Sequence, residues 1–91
     1  MLFFIPGPLR QFAQGHDSVE LQGECATLRD ALSALWKLHP GLRDRIVTEQ
    51  GALREHINIF VGNEEVRYTG GLATPIRSDC EISIVPAISG G

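Results

Sequence analysis

One sustained helical stripe constrains this 91-residue chain more than any other feature. From Leu28 the apolar residues Ala31, Leu32 and Leu35 recur at intervals of three and four, and Leu38 extends the run. Thr27 is a good N-cap, and Asp30 supplies the carboxylate of a capping box three residues later. His39-Pro40-Gly41 ends the helix, because proline cannot continue the hydrogen-bond ladder and biases its neighbour away from helix. A lone helix with a narrow apolar stripe has no second helix of its size to pack on. It must lie on one face of a sheet of four or five strands.

The strands are legible from alternation. "LFFI" at Leu2 to Ile5 is rich in strand formers and stops at Pro6. "SVELQ" alternates Val19 and Leu21 against Glu20. "PLRQFA" between them reads as a turn or a single helical turn. After the helix, "GLRDRIV" can add one more turn with Leu42 and Ile46 inward, and "TEQGALRE" reads as a polar loop. "HINIFVG" is the strongest strand, with Ile57, Ile59 and Val61 on one side and Asn58 and Phe60 on the other. "GNEE" is turn chemistry, "EVRY" a short returning strand, and "TGGLATPIRSD" a glycine-containing connection. "CEISIVPA" is the last strand, alternating Ile82 and Ile84 against Ser83 and Val85, with Pro86 limiting further pairing. The order β-β-α-β-β-β, with a right-handed crossover on the helix and the last strand beside the first, is a β-grasp arrangement in the α+β class. One domain spans residues 1–91, with a flexible tail over about 87–91.

Charge and cysteine content narrow the function classes. The net charge is −3 and eight Lys and Arg are spread along the chain, so no basic footprint for nucleic acid exists. No apolar run approaches the ~20 residues that span a bilayer, and "MLFFIPGP" lacks the basic flank of a signal peptide. Cys25 and Cys80 have no CxxC spacing, and without a secretory signal they read as reduced thiols in a cytoplasmic protein. His16, His39 and His56 lack metal-ligand spacing with either cysteine.

Alternation also leaves apolar residues on the wrong side. With Phe3 and Ile5 turned to the helix, Leu2 and Phe4 point away, as do Phe60 and Val85. Either Phe4, Phe60 and Val85 form an open apolar face that docks a partner, or loops and the turn around Phe12 cover them.

No nucleophile elbow, metal motif or P-loop is present; "GGLATP" lacks the lysine and the spacing of a phosphate loop. The sequence closes on "PAISGG", and there chemistry is available. A terminal carboxylate is a poor electrophile, but adenylation with ATP makes it a mixed anhydride open to a sulfur nucleophile. Without Cβ atoms, Gly90 and Gly91 can thread a narrow channel and be attacked without hindrance. Ala87, Ile88 and Ser89 supply reach.

These residues resemble the ubiquitin-like sulfur carriers, the family of the molybdopterin synthase small subunit and the thiamine-pathway carrier, over essentially the whole chain. "FFIPGPLRQFAQG" is similar to the family's first strand and following turn, and "INIFVGNEEVRYTGGLATPI" with "ISIVPAISGG" to its later strands and tail. The "NEEVRYTGGLATPI" block, the "VPAISGG" ending and the "VTEQGALREH" insertion look closest to the carrier of the O-phosphoserine cysteine pathway. The resemblance implies a carrier rather than an enzyme, binding no cofactor. Gly91 would be adenylated by an E1-like adenylyltransferase/sulfurtransferase and become a thiocarboxylate, with Gly90 and Ser89 threading the tail. A pyridoxal-phosphate cysteine synthase would accept the sulfur, and a zinc metalloprotease would release the product. Molybdopterin, thiamine or a secondary metabolite are alternative destinations, and conjugation to proteins is an alternative use of the same tail.

Overall fold

The computed structural model describes residues 1–86. Ala87, Ile88, Ser89, Gly90 and Gly91, on which the tail assignments fall, lie outside the described residues. Five strands form one mixed sheet: β1 (Leu2–Phe4), β2 (Ser18–Glu20), β3 (Ile57–Val61), β4 (Glu64–Glu65) and β5 (Glu81–Pro86). Their lateral order is β2-β1-β5-β3-β4. β5 is parallel to β1 and antiparallel to β3, so the final strand is driven into the middle of the sheet beside the first. This is the β-grasp arrangement expected from the order of elements.

The main helix, α1 (Leu28–Leu38), begins where the cap is placed: the Thr27 hydroxyl accepts from the Asp30 N–H at 3.4 Å. Leu28, Ala31, Leu32 and Leu35 are buried against the sheet. Leu38 is not; it is 54% exposed, because it lies in the last turn, past the edge of the surface that the helix covers. A 3-10 turn at Pro40–Leu42 buries Leu42, and the one-turn helix α2 (Arg43–Ile46) that follows buries Ile46. Both are core residues, as their spacing suggests.

Two segments differ from the sequence reading. "PLRQFA" belongs to a seven-residue 3-10 helix, Gly7–Ala13, longer than a single turn, whose Leu9 and Ala13 are buried. "EVRY" is strand only at Glu64–Glu65; Val66–Tyr68 is a 3-10 turn in which Val66 is fully buried. The β3–β4 register already points Val66 to the inward face, opposite Ile59, and the 3-10 turn keeps it there. The long connection that follows is a tight loop, with Gly70 at φ +115 and Gly71 at φ +61, conformations open to glycine at little cost. Thr74 is buried there, and its hydroxyl donates to the Gly71 carbonyl oxygen at 2.6 Å.

The core is one layer between the sheet and the helices. Across the strands, Val19, Phe3, Ile82 and Val61 form one inward row, and Ile84 and Ile59 the next. Phe3, Ile59 and Ile82 have no exposed surface.

Candidate functional site

The register that fixes the inward rows fixes the outward ones. Ser18 pairs with Phe4, Phe4 with Ser83, Ser83 with Phe60, and Phe60 with Glu65. One outward row therefore crosses all five strands, with two phenylalanines flanking the serine of the central strand. Val85, two residues further along β5, shares that face opposite Asn58. Phe4 is 38% and Val85 40% exposed, while Phe60 is half-buried and lies outside the core cluster.

The turn around Phe12 does not cover this face. Phe12 packs against the core from the helical side, where the Arg45 guanidinium lies 4.5 Å from its ring centre and Gly41 lies beside it. Phe4 and Val85 are therefore left open on this face, with Phe60 half-buried beside them. The three residues singled out from alternation thus share one face, Val85 on β5 and Phe4 and Phe60 on the two strands beside it.

A residue that alternation could not find joins them. Where β1 and β5 end, a shallow groove is lined by Phe4, Pro6, Arg10, Asp17, Ser83 and Val85. Arg10 is steered there by the 3-10 helix, and its Nε donates to the Ile5 carbonyl oxygen at 3.0 Å. Proline within the first turn of that helix, which suits a position lacking a partner for its N–H, was the available signal that the segment is helical and so re-aims Arg10.

The remaining reactive groups are dispersed. Cys25 and Cys80 are free and half-buried, as read from their spacing, and the Cys80 Sγ accepts the Arg77 N–H at 3.1 Å. Among the described residues no group of three or more His, Cys, Asp and Glu is arranged to hold a metal, and no helix is long and apolar enough to cross a membrane. The Met1 amine is engaged twice, donating to the Leu21 carbonyl oxygen at 3.0 Å and to that of Ser78 at 2.8 Å. Lys37, the single lysine of the sequence, is exposed in the last turn of α1.

Comparison with known proteins gives these features a context. The model of the ThiS family matches residues 3–91. The sulfur carrier protein CysO of Mycobacterium tuberculosis is 37% identical over 89 residues, covering 96% of this chain and 94% of that protein. In the crystal structure of the BexX/CysO complex from Amycolatopsis orientalis, a chain 34% identical superposes with a TM-score of 0.88, covering 99% of this chain and 98% of that one. The crystal structure of SAMP1 from Haloferax volcanii superposes with a TM-score of 0.83 at 30% identity, covering 100% of this chain and 98% of that one.

Proposed function

The chain belongs to the ThiS family, and from that footing we propose that it is a sulfur carrier whose Gly91 carboxylate is the working group. The carboxylate attacks the α-phosphorus of ATP, forming the acyl adenylate and releasing pyrophosphate. Hydrosulfide then adds to the Gly91 carbonyl carbon and expels AMP, leaving a thiocarboxylate. The full-length likeness to a CysO sulfur carrier favours cysteine biosynthesis as the destination, through a pyridoxal-phosphate synthase as acceptor and a metalloprotease for release. The chain itself supplies the acyl group and the docking surface; catalysis belongs to the partners, in the cytoplasm.

The observation that carries this reading is the outward row on the central strands. Phe4, Phe60 and Val85 lie on or beside β5, immediately before residues 87–91. A partner that covers this face holds the base of the tail, and five extended residues then reach at most about 18 Å, enough to enter an enclosed site. The likeness to a CysO crystallised with BexX supports engagement of the folded domain by a partner protein.

The test is the intact mass after incubation with ATP, an E1-like activating enzyme and a sulfide donor. We expect a shift equal to exchange of one oxygen for sulfur, absent in a variant lacking Gly91. An unchanged mass with an enzyme shown to adenylate another carrier would refute the proposal.

The likeness to SAMP1 of Haloferax volcanii, small archaeal modifier protein 1, supports a second use as a protein modifier. With the Met1 amine bound to two carbonyls, self-linkage would fall on Lys37. Conjugates of many sizes on a blot against this chain would favour that use; the unconjugated species alone would exclude it.

A further inference from the structure

The helical side of the molecule, opposite the Phe4 face, carries a second groove. Arg29, Leu32 and Trp36 on one face of α1 form one wall, and Arg43, Val47 and Leu72 the other. Leu32 and Val47 are 2% and 3% exposed and make an apolar floor, with Trp36 half-buried beside them. Two guanidiniums stand at the rim, and no carboxylate lines the groove among the described residues. Arg29 is exposed; Arg43 bonds through one terminal nitrogen to the Asp44 carboxylate at 3.1 Å, which leaves the other N–H groups of its planar fork for a further acceptor. With Arg43 paired to Asp44, Arg29 supplies the groove's unpaired positive charge, and the Arg43 fork adds free N–H donors over the apolar floor.

We propose that this groove binds an acidic segment of a partner protein in which glutamate or aspartate residues flank an apolar side chain. Both halves of the site ask for that chemistry. Carboxylates meet the guanidinium forks at the rim, a geometry for which arginine is better suited than lysine. The apolar side chain covers the half-buried Trp36 indole and Leu72, which a small inorganic anion would leave wet. Tryptophan and arginine together are the residue types that most often dominate binding energy at protein interfaces. Because α1 lies on the inward face of the sheet, such a partner would stay bound while the Phe4 face and the tail are in use elsewhere.

Trp36 is the only tryptophan in the sequence, so its fluorescence reports on this groove without a label. The full chain is titrated with a blocked peptide of glutamates flanking leucine and valine, with its lysine counterpart, and with inorganic phosphate. The acidic peptide produces a saturable change in Trp36 emission that weakens as salt rises, since exposed charges are screened. Arg29→Glu and Arg43→Glu each weaken binding roughly fivefold, the scale of one exposed charge pair. Arg29→Gln serves as the milder variant, and thermal melting confirms that each chain is folded. Phe4→Ala, on the opposite face, leaves the titration unchanged. No saturable change with the acidic peptide, an equal response to the lysine peptide, an equal response to phosphate, or undiminished binding in both arginine variants would each overturn the proposal. The measurement uses neither ATP nor an activating enzyme, so its failure is distinct from failure of the sulfur-carrier reading.

Discussion

Truncating Phe4 to alanine tests whether the outward face docks the activating enzyme. Phe4 is 38% exposed in the free chain. A phenylalanine side chain offers about 200 Å² in total, so about 75 Å² remains for a partner to cover. At about 25 cal/mol/Å² that area contributes about 2 kcal/mol to docking. Alanine keeps its Cβ, so the loss is about 1.5 kcal/mol, or roughly tenfold in affinity. Removing the covered part of the ring also destabilises the fold by about 1–2 kcal/mol, a typical loss for one truncation that leaves a domain folded. The assay is thiocarboxylate formation followed by intact mass over a range of carrier concentrations, with the activating enzyme held fixed. The expected result is a KM raised roughly tenfold with kcat little changed, since docking is lost and the tail is not altered. Leu38→Ala is the control: Leu38 is 54% exposed but sits at the end of α1, on the helical side. If Leu38→Ala raises KM as much as Phe4→Ala does, the effect is general stickiness and the docking argument is refuted. A KM unchanged in Phe4→Ala would refute it equally.

Three further outcomes concern the fold that presents this face. Ile82→Ala, at a position with no exposed surface between β1 and β3, should lower stability by about 3 kcal/mol in urea unfolding, because the central strand cannot collapse onto the cavity. Thr27→Ala removes the hydroxyl that accepts the Asp30 N–H, and the long 3.4 Å contact places the loss near the low end, about 0.5–1 kcal/mol by thermal melting. Arg67 donates to the carbonyl oxygens of Glu55 at 2.8 Å and Ile57 at 2.9 Å, clamping the loop that precedes β3. Arg67→Ala removes the one terminal nitrogen that makes both bonds; faster amide exchange over residues 48–56 is the expected readout, and unchanged exchange would show that the clamp is idle.

Much of the architecture is local in origin and could be read from the chain. Phe3 and Ile5 against Leu2 and Phe4, Ile82 and Ile84 against Ser83 and Val85, and the three- and four-residue spacing of Leu28 to Leu35 each reflect a periodicity that the backbone imposes on its own side chains. Chain order and the rules of strand connection then place the last strand beside the first. Capping at Thr27 and the stop at His39-Pro40-Gly41 are likewise local events, set by hydroxyl and proline chemistry. The full-length family match agrees with the resemblance that the later strands and the closing "VPAISGG" carried.

Where the reading fell short, the deciding contacts were distant in sequence. Leu38 continues the stripe of α1, yet the surface it would cover ends one turn earlier. Val66 sits in a stretch that reads as strand, and a 3-10 turn holds it fully buried instead. Arg10 reaches the Phe4 groove only because a 3-10 helix longer than one turn carries it there, and the groove of Arg29, Trp36 and Arg43 exists only where α1 meets the segment after it and Leu72. Sequence by itself determined which residues alternate, which cap and which stop, because these depend on neighbours a few bonds away. Tertiary structure alone decided which alternating residues share a row across five strands and which charges gather at a groove. Those depend on pairing between segments tens of residues apart, selected by how much apolar surface the whole chain can bury at once.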